Sequence, residues 1–207
     1  MAIPKKIINF LEKSKAKYEI VEHRKVFTAY DKAATLRMPE KISIKTLVIK
    51  TSPPLKEFAL VNISADKNLD KEKLRKKINI LRKKEGGKAV KKIDFVTEKW
   101  VKSNLKGMKP GAIPPFGNLW KLNSFIEKSI FKSPKIFFNS GDNSFSIKIS
   151  PKDFEKIVPD LIIDSFSQPR KKKKKVKKIK KVIKKKKPLK KKKIQKKRTI
   201  LKKRKKK

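Results

Sequence analysis

Apolar and polar residues alternate along this chain with two different periods, which predict a mixture of helices and strands. Near the N-terminus, Ile7 and Leu11 fall on one face of a helical pattern, so residues 4–15 are predicted to form an amphipathic helix. The stretch 42–51, ISIKTLVIKT, carries β-branched and aliphatic residues on both faces. A strand with two apolar faces is predicted to lie inside a sheet.

Shorter runs and capping residues predict the remaining elements. The runs predict strands at residues 18–21, 26–28, 58–63, 90–95, 119–126, 135–139 and 144–149. They also predict helices capped by Thr28, Thr97 and Ser150, and a charged helix from Asp70 to about Ile80. The pair Pro53-Pro54 predicts a turn between two strands. The folded body is predicted to finish near Phe166, and no internal repeat is present.

The stretch 111–117, GAIPPFG, has the most constrained backbone chemistry in the chain. Pro114 and Pro115 fix the backbone and remove two N–H donors, so neither a helix nor a central strand can pass through them. The flanking glycines allow tight turns and a close approach by another molecule, and Phe116 offers one large apolar anchor. The pattern predicts a rigid loop, whose role is either a structural turn or part of a functional site.

Lys45 interrupts the predicted strand at 42–51. A lysine in a buried strand must either reach water along its aliphatic stem or project into a cavity that holds a polar or anionic ligand. Both interpretations stay open from this residue alone.

Charge divides the chain into two parts. Of the last 38 residues, beginning at Arg170, 27 are Lys or Arg and none is acidic, while the whole chain has a net charge of +45. The preceding body is also basic, so the predicted partner is a polyanion: nucleic acid first, an anionic membrane surface second. Only 7 of the 63 basic residues are Arg, which favours unspecific attraction to phosphates over reading of bases.

Most catalytic arrangements are excluded by composition. The chain has no cysteine and one histidine, His23, so a Cys-His pair is impossible and a serine triad would have to use His23. The acids lack metal-ligand spacing, so neither a metal nor another cofactor is predicted. No apolar run approaches 18 residues and the N-terminus does not resemble a secretion signal, so a cytoplasmic location is expected.

An enzyme with so few catalytic groups should act on a bond that is already labile. Positioning and a few oriented dipoles then suffice, and one donor aimed at a developing oxyanion contributes roughly 3 kcal/mol. The aminoacyl ester of a tRNA is such a bond.

Several landmarks occur together in a fixed order. His23 precedes the pair Thr28-Ala29; then come the strand IKTLVIK at 44–50, the loop GAIPPFG at 111–117, the turn NSGDN at 139–143 and the helix start SPKD at 150–153. Across about residues 5–160, this set resembles the YbaK/prolyl-tRNA synthetase editing-domain family. The resemblance implies an α+β fold, a single compact domain with a curved mixed β-sheet flanked by helices. It also implies hydrolysis of mischarged aminoacyl-tRNA.

The same resemblance assigns expected site residues. Lys45 would lie at the reactive end of its strand, near the terminal adenosine and its ester, and Gly111 and Pro115 would belong to the loop that closes over that ester. Members of the family are thought to use the ribose hydroxyl of the substrate to assist the water. The remaining expected substrate-binding residues are Phe27, Thr28, Ala112, Phe116, Gly117, Gly141, Asp142 and Asn143.

The basic C-terminus is a departure from the family pattern. We expect an editing domain at residues 1–168 and a Lys-rich tail at 169–207, disordered when free, which adds affinity for tRNA, for the ribosome or for another RNA. The tail segment around Val176 and Ile179 could form a basic helix on phosphates or stay disordered. The alternative function is a non-catalytic nucleic-acid-binding protein on an editing-domain scaffold, and a membrane-surface or nuclear-targeting role for the tail is a third possibility.

Overall fold

The computed structural model describes residues 3–52 and 57–170 of the chain. The chain divides into two units, Met1–Arg170 and Lys171–Lys207. The predictions for Pro53-Pro54 and for the tail beyond Arg170 lie outside the described residues.

Five α-helices and ten strands make up the described part. The helices are α1 (Lys5–Lys13), α2 (Ala29–Thr35), α3 (Lys71–Lys84), α4 (Glu98–Asn104) and α5 (Pro151–Ile157). The strands are β1 (Tyr18–Glu22), β2 (Ile44–Ser52), β3 (Phe58–Ser64), β4 (Lys67–Leu69), β5 (Lys92–Phe95), β6 (Asn123–Glu127), β7 (Ile136–Asn139), β8 (Phe145–Ile149), β9 (Leu161–Asp164) and β10 (Ser167–Pro169). Short 3-10 helices occur at Glu40–Ile42, Gly117–Trp120 and Lys128–Lys132.

The largest sheet is mixed and has the strand order β5-β2-β3-β6-β9. Strand β2 pairs antiparallel with β3 and β5, whereas β6 runs parallel to both β3 and β9. A three-stranded antiparallel sheet has the order β1-β8-β7, and β10 pairs with β4. The predicted α+β class with a mixed sheet is therefore confirmed, with the strands distributed over three sheets.

The central strands bury both faces. On β3, Leu60 joins a core cluster with α1, α4, α5 and the three-stranded sheet, while Val61 and Ile63 join a second cluster with α3. On β2, Val48 and Ile49 divide between the same two clusters. The prediction that residues 42–51 form an internal strand is confirmed, because successive side chains of a strand point to opposite faces and both faces are covered here.

The helix caps predicted at Thr28, Thr97 and Ser150 are confirmed, and Asp70 caps α3 in the same way. Side-chain oxygens of Thr28, Asp70, Thr97 and Ser150 each accept a hydrogen bond from the backbone N–H three residues later. These bonds satisfy donors that the first helical turn leaves without a partner, which is why the caps could be located from residue type alone.

Two strand predictions were wrong, one entirely and one in its starting residue. Residues 26–28 do not form a strand: Val26 donates one backbone hydrogen bond to Asn143, after which Thr28 caps α2. The strand predicted at 119–126 begins only at Asn123, because a 3-10 helix ends at Lys121 in the left-handed conformation, with φ 55°. Strands β4, β9 and β10 were not predicted.

The ordered body extends past its predicted end at Phe166. Strand β10 pairs Pro169 with Lys67, and the N–H of Arg170 donates to the carbonyl of Asp66 at 2.9 Å. Pro169 and Arg170, which the sequence places in the tail, therefore contact the body through backbone pairing.

Candidate functional site

Lys45 lies near the start of β2 and projects into a cavity beside α2. The cavity has a volume of about 390 Å³, within the range typical of small-molecule sites. Its Nζ donates to the carbonyl of Lys67 at 2.5 Å, so β4 holds the ammonium in place. We call this space the Lys45 cavity; its lining residues are Thr28, Ala29, Tyr30, Asp31, Lys45, Ala65, Asn68 and Arg170.

Both cationic and acidic side chains line the Lys45 cavity, namely Lys45, Arg170 and Asp31. Burial lowers the pKa of Lys45, and the Arg170 guanidinium lowers it further, while the carboxylates of Asp66 and Glu40 act in the opposite direction. The guanidinium of Arg170 also lies over the ring of Tyr30, 4.8 Å from its centroid. Two cationic side chains and an exposed aromatic ring thus meet in one cavity, a combination suited to a phosphate and a base.

A second, narrow cleft also has Thr28 in its lining, so Thr28 lines both spaces. Its volume is about 10 Å³, enough for roughly one water molecule. We call it the Lys32 cleft, after the lysine in its wall; its lining residues are His23, Val26, Phe27, Thr28, Lys32, Gly111, Asn139, Asp142, Asn143, Phe145 and Ser146.

Lys32 is a fully buried lysine, with a side chain only 1% exposed. Its Nζ donates to Oδ1 of Asn139 at 2.9 Å, and burial lowers the pKa of its ammonium to about 7. The amide nitrogen of Asn139 donates in turn to the carbonyl of Gly111 at 3.0 Å. The buried amine therefore fixes the orientation of the amide that holds the first residue of the GAIPPFG loop.

The turn 139–143 and the GAIPPFG loop are joined through their backbones. The N–H of Gly141 donates to the carbonyl of Ala112 at 2.8 Å. Gly111 has φ +81°, and a Cβ at this position would lie 2.9 Å from the carbonyl oxygen of Phe27. Only glycine fits this close approach without a shift of the backbone.

The side chain of Asp142 is held by hydrogen bonds, whereas the amide oxygen of Asn143 has no partner among the described residues. Burial alone would raise the pKa of Asp142, but hydrogen bonds from Lys109 and from the N–H of Ser144 outweigh it, so the pKa lies below its usual value. Asn143 is 7% exposed, and its Oδ1 accepts no hydrogen bond from the described residues.

The comparisons with known proteins agree with this architecture. The sequence profile described as the aminoacyl-tRNA editing domain matches residues 23–157, about two-thirds of the chain. The chain belongs to the aminoacyl-tRNA editing domain family. The resemblance stated from the sequence is thereby confirmed, and membership supports a deacylase role. A search of curated proteins found no match.

Solved structures share the fold of this editing domain. The crystal structure of a hypothetical protein has a TM-score of 0.62 and 17% identity, over 79% of this chain and 99% of its own. A protein described as a candidate trans-editing enzyme for prolyl-tRNA synthetase has the same TM-score and identity, over 79% of this chain and 96% of its own. A computationally designed epitope scaffold also matches, with a TM-score of 0.62 and 17% identity, over 80% of this chain and 97% of its own. At this level of identity the likeness shows the fold.

The expected site residues have four different surroundings in the editing domain. Lys45 lies in its cavity, and Gly141 supports the loop from outside both spaces. The Lys32 cleft brings together Phe27, Thr28, Gly111, Asp142 and Asn143. The remaining four are buried outside the two linings: Ala112, Pro115, Phe116 and Gly117.

Phe116 shows why the loop is rigid in the editing domain. Its ring is fully buried and lies 5.1 Å from that of Phe10 and 5.4 Å from that of Phe138, centroid to centroid. At Gly117 a Cβ would lie 2.2 Å from Oγ of Ser124, so a side chain cannot be accommodated there. One end of the loop is anchored in the core, and Gly111 at the other end faces solvent.

Sequence reasoning missed Lys32 and Arg170. Ala29, Lys32 and Ala33 form the buried face of α2 at positions i, i+3 and i+4, so a lysine on the apolar face of a capped helix was the available signal. Arg170 carried no such signal, because only the pairing of β10 with β4 brings it to the Lys45 cavity.

Groups that could hold a metal are not found in the described ranges, since no three His, Asp or Glu side chains cluster there. None of the helices in these ranges is long and apolar enough to cross a membrane.

Proposed function

We propose that this editing domain hydrolyses the ester bond of mischarged aminoacyl-tRNA, acting in trans. The observation that carries the proposal is the position of Lys45, in a cavity that shares Thr28 with a narrow cleft, within a chain of the editing-domain family. One fold neighbour, described as a candidate trans-editing enzyme for prolyl-tRNA synthetase, supports the same role.

The Lys45 cavity suits the 3′-terminal nucleotide of the tRNA. Its volume of about 390 Å³ is sufficient for a nucleoside, and Lys45 and Arg170 supply positive charge for the phosphate. The exposed ring of Tyr30 offers a stacking surface for the base. With the nucleotide in this cavity, its ester would lie toward Thr28, where the Lys32 cleft begins.

The reaction needs little beyond positioning. Water adds to the ester carbonyl carbon, the bond from that carbon to the ribose oxygen breaks, and the proton from water ends on the ribose oxygen. The products are the free amino acid and an uncharged tRNA. Lys45 would hold the terminal nucleotide and stabilise negative charge that develops on the carbonyl oxygen.

One pair of side chains has the geometry of a nucleophile and its base. Nε2 of His23 lies 2.8 Å from Oγ of Ser146, and Nδ1 lies 2.8 Å from the carbonyl of Arg24. Ser146 is fully buried, however, in a cleft with room for only one water-sized group. An ester carbonyl cannot approach its oxygen there, so water remains the proposed nucleophile.

The first test is the loss of Lys45. Lys45→Ala is expected to lower kcat/KM for mischarged tRNA by at least about 100-fold, the size typical of removing one preorganised donor, while the melting temperature changes little. Lys50→Ala removes the same charge from the same strand, outside both cavities, and should retain near wild-type turnover. Equal activity of the Lys45 variant and wild type would reject the assigned role of Lys45.

A non-catalytic nucleic-acid-binding protein is the second candidate function. The net charge of +45 favours it, because phosphate attraction alone gives affinity for RNA. A panel of tRNAs mischarged with different small amino acids distinguishes the two functions. A binder retains each tRNA without releasing any amino acid from it, whereas a deacylase hydrolyses at least one of the esters.

A further inference from the structure

Lys32 has more hydrogen-bonding capacity than its surroundings use. An ammonium carries three N–H donors, and a neutral amine still carries two. Among the described residues, the hydrogen bond to Oδ1 of Asn139 is the one formed by its Nζ. Because the side chain is 1% exposed, bulk water does not satisfy the remaining donors.

An unused acceptor occurs in the wall of the same cleft. Oδ1 of Asn143 is buried and accepts no hydrogen bond within the described residues. A buried carbonyl oxygen without a partner costs free energy, and such groups in native structures commonly mark a bound water or a ligand. The Lys32 cleft therefore combines a spare donor and a spare acceptor around a space of about 10 Å³.

A hydroxyl group is the chemical group that matches all three properties. It has one O–H to donate to Asn143 and lone pairs to accept from Lys32, and it is about the size of a water molecule. A methyl group would leave both protein groups unsatisfied, and a carboxylate or an amide would exceed the space. A thiol is larger and a weak donor.

We propose that the Lys32 cleft is a subsite for the side-chain hydroxyl of a seryl ester, and that Lys32 and Asn143 determine this specificity. The inference rests on the proposed function, since the ester must lie at Thr28 for its side chain to enter the cleft. Threonine also carries a hydroxyl, but its extra methyl group has no room beside it. Alanine fits by size and lacks the hydrogen bonds.

The decisive measurement is the ratio of kcat/KM for Ser-tRNA to that for Ala-tRNA, both prepared on the same tRNA. Wild type should prefer the seryl ester by about 10- to 100-fold or more, because a site that hydrogen-bonds a hydroxyl rejects the analogue that lacks it. Lys32→Met should reduce the ratio at least about tenfold. Lys41→Met, which removes an exposed lysine outside both cavities, should leave the ratio as in wild type.

A second variant and a binding measurement distinguish a loss of specificity from misfolding and from a loss of catalysis. Asn143→Ala removes the acceptor and should also lower the ratio, so the test stands even where Lys32→Met fails to fold. Binding of amide-linked seryl-adenosine and alanyl-adenosine, which cannot be hydrolysed at the ester, measures the preference without turnover.

Three results are informative. A preference for the seryl analogue without hydrolysis of any ester would support the subsite and reject the proposed deacylase. A preference for alanine in both readouts would overturn the serine subsite. Equal losses on both esters in Lys32→Met would also overturn it, since Lys32 would then act on the attacking water or on the loop.

Discussion

At the residue scale, Lys32 illustrates a conflict between stability and a polar site. Its helix position belongs to the buried face with Ala29 and Ala33, where an apolar side chain would pack without loss of hydration. Burial of an ammonium is unfavourable, which is why the pKa falls to about 7. A residue that destabilises the fold and lies in a cleft is a candidate for function.

The gain in stability of Lys32→Met over wild type should depend on pH. The folded-state pKa of about 7 lies below the unfolded value of 10.5, so the unfolded chain binds more protons between these values. The free energy of unfolding of wild type should therefore rise with pH across this window and be lowest below pH 7. Methionine does not titrate, and the variant should gain roughly 2–5 kcal/mol at pH 6.

Urea unfolding at pH 6 and at pH 9.5 measures this effect. The difference in free energy of unfolding between Lys32→Met and wild type should be less than half as large at pH 9.5 as at pH 6. If Lys32→Met gained the same free energy of unfolding at pH 6 and at pH 9.5, removal of the buried charge would not be the cause of the gain. The control variant Lys41→Met should have nearly the wild-type free energy of unfolding at both pH values.

At the element scale, the two ends of the GAIPPFG loop lie in different environments. The Phe116 end packs into the aromatic cluster of the core, while the Gly111 end meets Phe27 and the Lys32 cleft. Because a packed core deforms little, the anchored Phe116 end also fixes the position of the Gly111 end. The loop is therefore anchored in the core at Phe116, while Gly111 at its other end lines the Lys32 cleft.

Two phenylalanine variants should separate these two ends. Phe116→Leu removes a fully buried ring and should lower the free energy of unfolding by about 1–3 kcal/mol, without changing KM for tRNA. Phe27 is 61% exposed beside the cleft, so Phe27→Leu should change stability little and raise KM. Chemical denaturation and steady-state kinetics on both proteins check the pair. A raised KM with unchanged stability in Phe116→Leu would place that ring at the substrate instead.

At the scale of the whole molecule, charge and fold have separate roles. Residues 23–157 carry the editing-domain pattern, and the basic excess is concentrated from Arg170 onward. We propose that residues 171–207 add to the phosphate attraction of the basic body, which raises the local concentration of tRNA without selecting among its bases.

Removal of residues 171–207 should therefore weaken binding of tRNA and spare the chemical step. At low salt, KM should rise at least about tenfold with kcat nearly unchanged, and the dependence of log KM on log salt concentration should become shallower. Near 0.5 M salt, the KM values of the truncated and the full-length protein for tRNA should become similar. A loss of kcat at saturating tRNA would contradict this separation of roles.

The sequence by itself determined the features that depend on local chemistry. Caps at Thr28 and Ser150 followed from residue type, the internal strand at 42–51 from its two apolar faces, and the family from the order of its landmarks. Each is decided by neighbours a few residues apart, or by a pattern that can be read along the chain.

The tertiary structure decided which distant residues meet. Strands β4, β9 and β10 are short and gain their stability from partners far along the chain, so their local patterns were too weak to predict them. The same long-range pairing carries Arg170 to the cavity of Lys45. Likewise, the burial of Lys32 against Asn139 joins residues 107 positions apart. Hydrophobic patterns specify which face is buried, whereas the polar contents of a site depend on contacts that form only when the chain has folded.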